Sequence, residues 1–351
     1  KANAALEPFA AADILMPAGK RTLSQWMKFA NSLRLRLAIR VSMSAPDLAR
    51  AEVAKAMDAT AGGVLESADE TVAVSTESGY KNPLGTVNEG WGEVFMGATM
   101  ESVLVGYNDP RLIKYYSKAE GGDIKDEKGN LIIAERNKIA GTYKGVPQGT
   151  GVTVKDENRY RLHSKSTITK QTDAILMTAA EVWFLRAEAA LRGFTSENVK
   201  DCYEKGITVS CQQWGVNVGD YLTSDATPSD YVDAFEAKYD VKALIKVTPK
   251  WDGGASPEEQ LERILTQKWI ACYPEGYEAW TEQRRTGYPQ LFKVFVNNSG
   301  GAIDTNIRIR RLPYPSDIQK NNPTQYSALK KALGGEDNGG TRLWWDTGRN
   351  F

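Results

Sequence analysis

At 351 residues, with 41% hydrophobic and 25% charged side chains, the chain has ordinary globular composition and enough length for one large core or two modest ones. Forty-four basic residues balance forty-four acidic ones, so no broad cationic field draws it onto phosphate backbones or anionic lipid, and nucleic acid is not expected as a partner. No run of about eighteen apolar residues occurs, which excludes a membrane-spanning helix of the usual kind.

The opening residues "KANAALEPFAAADILMP" lack the charged, apolar and small-residue regions of a signal peptide. The first strong element is "TLSQWMKFANSLRLRLAIRVS". Thr22 and Gln25 form a capping-box pattern, and Leu33, Leu37 and Val41 recur at helical spacing. Ser44 and Asp47 around Pro46 start a second helix, "APDLARAEVAKAMDAT", which Gly62-Gly63 stops.

From Gly63 to about Tyr107 the regular signals weaken, and "ESGYKNPLGTVNEGWG" reads as a long exposed loop before the helix "EVFMGATMESVLVG". Short β-branched runs between Gly121 and Leu162, separated by "DEKGN", "KGVPQGTG" and "KDEN", predict one or two hairpins. "TDAILMTAAEVWFLRAEAALRGF" and "SENVKDCYEKGITVSCQQWG" follow as an αα-hairpin, with Ser196 as the expected cap of its second helix. Alanines 179, 180, 187 and 190 permit close approach of the two helices. Ser256, Pro257 and Glu259 open another hairpin, whose second helix "YEAWTEQRRTG" is ended by Gly287 and Pro289. A short helix starts near Pro323, and the aromatic tail is expected to dock on the body. The predicted fold is mainly α, built of irregular tetratricopeptide-like helical hairpins with long loops and a minor β-hairpin region; no fixed 34-residue period is visible.

Catalytic signatures are weak. The only histidine, His163, lies in the hydrophilic "RYRLHSKS" and is expected on the surface of a strand. Glu181 and Glu188 are about 10 Å of helical rise apart on one face, which suits ion pairs with Arg186 and Arg192 better than a glycosidase pair. "GVPQGTG" has no third glycine and no following helix, so it is a loop rather than a phosphate cradle. "GGDIKDEKGN" places lysines where an EF-hand needs oxygens, which leaves open only a looser structural calcium site. Cys202 and Cys211 sit on roughly opposite faces of one helix, about 13 Å apart, too far to bridge. No cofactor is implied.

Aromatic side chains in loops remain. Tyr80 and Trp91, with Asn82, Asn88 and Glu89 beside them, are the chemistry that binds sugars: a ring stacks on the apolar face of a pyranose while amides and carboxylates pair with hydroxyls. The alternative for Trp91 is that it opens the following helix and packs inward. Trp214 and Trp251 are weaker candidates. Trp269 and Trp280 are expected to face the interior of their hairpin, with Arg284-Arg285 complementing the helix dipole and pairing with Glu278 or Glu282.

The same hairpin, "TQKWIACYPEGYEAWTEQRRTGYPQL", resembles the signature hairpin of the SusD/RagB family of outer-membrane nutrient-binding lipoproteins. "WMKFANSLRLRLAIRVS", "NDPRLIKYY", "EVWFLRAEAALRG", "RRLPYPSDIQKNN" and "LWWD" resemble further family segments in the family's order. The resemblance implies a helical, tetratricopeptide-containing fold, no catalysis, and capture of a glycan ligand at the cell surface over a SusC-like TonB-dependent transporter in Bacteroidota-type bacteria. It also implies lipid anchoring at the outer membrane through an amino-terminal portion that this chain is expected to lack. A peptide-capturing member, or a scaffold binding only its transporter, are the alternative functions. The expected organisation is one SusD-like domain over 1–351, with a helix pair at 22–62, a loop and hairpin region at 63–172 carrying the site, helical hairpins at 173–215 and 256–289, and a closing segment at 303–351. The family's glycan-binding aromatics precede its alanine-rich helix, which corresponds here to Ser75–Tyr107.

Overall fold

The computed structural model describes residues 7–151 and 158–351. Helix α1, Leu23–Arg40, starts where the Thr22 hydroxyl accepts the Gln25 amide, but the reciprocal half of the expected capping box is absent because the Gln25 side chain reaches the Glu70 carbonyl. Leu35, Ala38 and Ile39 turn inward against α2, Pro46–Ala56. Pro46 opens α2 at a position where its missing N–H costs nothing, and Ala45, with no side-chain bond, occupies the cap instead of Ser44.

Two strands one hundred residues apart, β1 (Val72–Val74) and β4 (Ala174–Met177), pair antiparallel and tie together the ends of the long region between them. Inside that region lie α3, Ala98–Gly106, and one small hairpin of β2 (Ile124–Lys125) with β3 (Leu131–Ile133). The rest of the predicted β content is irregular among the described residues, and Val152–Glu157, with the first six residues, lies outside them.

The αα-hairpin of α4 (Ala179–Leu191) and α5 (Val199–Gln213) is the centre of the core. Gly206 lets the helices close, since a Cβ there would lie 2.8 Å from the Phe184 ring. Asn198, not Ser196, caps α5 by accepting the Asp201 amide. Cys202 and Cys211 are buried and unbridged, as is Cys272. The second hairpin, α6 (Pro257–Ala271) and α7 (Gly276–Thr286), begins with the complete Ser256–Glu259 capping box. Helix α8, Pro323–Leu333, leads into the tail, which docks through Asn350 on Glu258 and Thr286 and through Phe351 beneath Arg192. Among the described residues no helix is long and apolar enough to cross a membrane.

The helices α1, α4, α6 and α7 meet through charge. Arg36 binds Glu181, Arg40 binds Glu278, Lys268 lies 3.2 Å from Glu278 and 3.3 Å from Glu282, and Arg285 bridges Glu188 and Glu282. Glu188 also holds Arg192, as the sequence indicated, whereas Glu181 turns to Arg36, and Arg186 to Glu66 and Glu197. The hairpin interior is thus largely ionic; Trp269 packs against the hydrophobic core as expected, whereas Trp280 does not. Both are partly exposed, and Arg284 lies between the rings of Trp280 and Trp345 at 3.6 and 5.1 Å.

His163 also departs from expectation. It is 2% exposed, packed by Tyr160 and Phe235, and among the described residues neither ring nitrogen has a hydrogen-bond partner. Burial, reinforced by the Lys144 charge, pushes its pKa down to about 3. The folded protein holds the imidazole neutral while the unfolded chain protonates it near 6.5, so this residue makes stability fall as pH drops from about 6.5 towards 3. Urea midpoints measured between pH 6.5 and 5 are expected to decline less steeply for His163→Leu than for the native chain. Equal slopes would assign the decline to other groups.

Candidate functional site

The segment from Ser75 to Trp91 is zipped onto residues 166–172. Asn82 donates from Nδ2 to the Thr172 carbonyl at 3.0 Å, while its Oδ1 accepts the Leu84 amide and its backbone N–H binds the Lys170 carbonyl. Asn88 Nδ2 donates to the Ser166 and Ile168 carbonyls at 2.7 and 2.8 Å, and Glu89 accepts the Lys170 amide at 2.7 Å. Gly85 makes this approach possible, because a Cβ there would overlap the Thr169 carbonyl. The polar residues read as ligand donors are therefore occupied with backbone. Asn82 is buried, so the expected ligand hydrogen bond from its amide is corrected to a structural one.

Trp91 ends a single π-helical turn, Thr86–Trp91, before Gly92 in the left-handed region. It is 59% exposed, which overturns the inward-packing alternative. Tyr80 is half-buried, and among the described residues its hydroxyl has no partner. No ring contact joins the two, so they do not form one sandwich. Trp214 and Trp251 pack against the core. In "GGDIKDEKGN", Asp126 closes its own turn by accepting the Lys128 and Asn130 amides, and among the described residues no cluster suited to a metal ion is present.

A separate cleft of about 630 Å³ opens between α7 and the segment 291–309. Gly276, Ala279, Trp280 and Gln283, spaced at i, i+3, i+4 and i+7, place one stripe of α7 along it. Trp269 of α6 and Phe292, Phe295 and Ile303 of the loop contribute further apolar wall. Gln283 is 8% exposed. Arg308 is fixed at the rim by Gln148 at 3.0 Å and by the Phe292 carbonyl. Reading Trp280 as a core residue hides this cleft in the sequence; Trp269 both packs on the core and contributes to the wall. The stripe on α7 was the available signal.

The SusD-like family, described as Susd and RagB outer membrane lipoprotein, matches residues 9–346. A SusD homologue from Bacteroides vulgatus is 50% identical with a TM-score of 0.84, covering 99% of this chain and 69% of its own. The chain belongs to the SusD-like family. Membership places it at the outer membrane and agrees with the mainly helical fold. A chitin-binding SusD homologue from Flavobacterium johnsoniae is 36% identical with a TM-score of 0.84, covering 97% of this chain and 67% of its own. A SusD homologue from Bacteroides thetaiotaomicron is 33% identical with a TM-score of 0.82, covering 98% of this chain and 69% of its own. No curated protein matches. The SusD-like segments quoted from the sequence fall at structural joints: Asp109–Arg111 is a fully buried pair, and the "TEQRR" helix supplies the ionic centre.

Proposed function

We infer that this SusD-like chain is a non-catalytic capture protein that binds a glycan at the cell surface and passes it to a TonB-dependent transporter. One observation carries the reading: Trp91 presents its indole to solvent on a loop that Asn82, Asn88 and Glu89 fasten to residues 166–172. A ring held this way stacks on a sugar with little ordering cost, since its backbone is already fixed. Tyr80 adds a free hydroxyl nearby in the chain, and the three polar residues act by positioning the loop. The chitin-binding relative supports a saccharide as cargo.

Calorimetry with the polysaccharide that the native protein binds is the test. Trp91→Ala is expected to weaken binding by about 1–3 kcal/mol, the cost of truncating a well-placed aromatic contact. Unchanged affinity in a folded variant removes Trp91 from the site. Heat from a peptide mixture, with none from any polysaccharide, would assign peptide as the cargo instead.

A further inference from the structure

We propose that the apolar cleft along α7 and a cationic cleft of about 500 Å³ beside it form one site for an amphiphilic oxyanion, a phosphate monoester of an apolar alcohol, with the phosphate in the cationic cleft beside Arg308 and the body in the apolar one. Neither cleft includes a residue of the Tyr80–Trp91 loop, so the site stands apart from the reading of that loop.

The two clefts meet, because Val241, Gln283, Leu291, Thr305 and Arg308 line both. On one side of this boundary Trp269, Ala279, Trp280, Phe292 and Phe295 form a wall that calls for apolar surface on the occupant. On the other, Arg284, Arg285, Lys293, Arg308, Arg310 and Arg342 line the cleft, and no carboxylate does.

That positive charge is only partly neutralised. Arg285 is held by Glu188 and Glu282, whereas Arg310 and Arg342 share the single carboxylate of Asp346 at 2.6 and 2.5 Å. Among the described residues Arg284 and Arg308 have no carboxylate partner. Arg284 donates to the Arg310 carbonyl and the Thr281 hydroxyl, and Arg308 to Gln148 and the Phe292 carbonyl, all of them neutral groups. Asp304, the acid closest to Arg308 in sequence, lines the apolar cleft and turns its carboxylate onto the Asn306 and Ile307 amides. Arg284 is 7% exposed, and among the described residues its Nε has no hydrogen-bond partner. Burial, then the charges of Arg310 and Arg40, push its pKa down to about 10, and burial lowers Arg308 and Arg310 as well. Cations so placed cost free energy, and an anion brought among them recovers part of it.

Arginine's planar fork matches the oxygens of a phosphate through paired hydrogen bonds, and a dianion suits a cleft with several cations left over. Arg308 is held at the boundary by a left-handed backbone, φ 63°, with its N–H bonded to the Asp304 carbonyl at 2.8 Å. A neutral sugar would leave the cationic half without a partner.

Calorimetry with hexyl phosphate, inorganic phosphate and 1-hexanol separates the head from the body. Hexyl phosphate is expected to bind at least tenfold more tightly than either part alone. Arg308→Gly, which suits the left-handed backbone, and Lys293→Glu, at an exposed position, should each lower that affinity about tenfold or more, with thermal midpoints establishing folding. No heat from hexyl phosphate, an affinity equal to that of hexanol or of inorganic phosphate, or unchanged affinity in both variants overturns the proposal. Phosphatidylcholine vesicles with and without phosphatidic acid distinguish the source. Sedimentation with the acidic vesicles alone, lost in Arg308→Gly, assigns the phosphate to a lipid, whereas hexyl phosphate binding without sedimentation assigns it to a soluble ester. A chain that binds a polysaccharide through Trp91 and ignores hexyl phosphate would leave the glycan reading standing and this one overturned.

Discussion

Arg111→Met is expected to destabilise the folded chain by about 3–5 kcal/mol, the range for breaking one side of a buried ion pair. Arg111 and Asp109 are both fully buried. The guanidinium meets Asp109 through Nε at 2.9 Å and Nη2 at 2.6 Å, and also reaches Ser210 at 3.0 Å and Gln267 at 2.8 Å. Tyr221 donates to the same carboxylate at 2.6 Å, and Gln267 donates to the Tyr221 hydroxyl. One turn, "NDPR", therefore connects α5, α6 and the Tyr221 segment through a closed polar network. Methionine matches much of the arginine stem but leaves Asp109 charged without its cation, which is where the cost arises. The urea midpoint at pH 7 measures it. A shift of less than about 1 kcal/mol would show that water or relaxation replaces the pair.

Glu188→Gln is the second large effect, expected at about 3 kcal/mol or more at neutral pH. The substitution keeps shape and some hydrogen bonding, so the loss reports charge. Without that carboxylate Arg285 must share Glu282 with Lys268, and Arg192 loses the carboxylate that faces it. The acid dependence follows with a definite sign. Despite the opposing cost of burial, the cations around Glu188, Glu278 and Glu282 hold all three below their ordinary pKa. Depressed carboxylates stabilise the fold fully above their unfolded values, near about 4.3, and the contribution is lost as pH falls through the folded ones. The native chain should therefore lose stability below about pH 4.3, and Glu188→Gln should lose less of it. Identical acid profiles for the two proteins would mean that the ionic centre does not govern acid unfolding.

Helix ends were readable from residues whose chemistry acts within one turn. Ser256, Pro257 and Glu259 mark a start that the structure reproduces, and Gly287 ends α7 as expected, whereas Thr22 makes only half of its capping box and α2 stops at Ala56, leaving Gly62 to close a separate turn, Ala59–Ala61. Capping by Asn198 in place of Ser196 shows the limit, since two good cap residues lay two positions apart. The β1–β4 pair was not legible, because each strand is too short to show a period and its partner is one hundred residues away. His163 was misjudged on the hydrophilic residues around it. Tyr160 and Phe235 bury the ring, and Phe235 is distant in sequence.

The gathering of aromatic and amide residues in the 75–91 loop is legible in the sequence, but the use the fold makes of the amides is not. Asn82 and Asn88 bond carbonyls of 166–172, partners that local reading cannot supply. Helical spacing places Trp269 and Trp280 inward; Trp269 does pack on the core, but Trp280 does not, and Lys268, Glu278, Glu282 and Arg285 occupy the space between the helices. A stripe of charge on a helix is read as a solvated face unless its counter-charges, here on α1 and α4, are known.

Native gel electrophoresis through matrices containing a panel of polysaccharides, comparing the native chain with Trp91→Ala, tests most directly whether this is a glycan-capturing protein working through an exposed indole. The account predicts that at least one polysaccharide retards the native chain and that Trp91→Ala migrates through it unretarded while remaining folded. Free migration of the native chain through every polysaccharide, or equal retardation of both proteins, would contradict it.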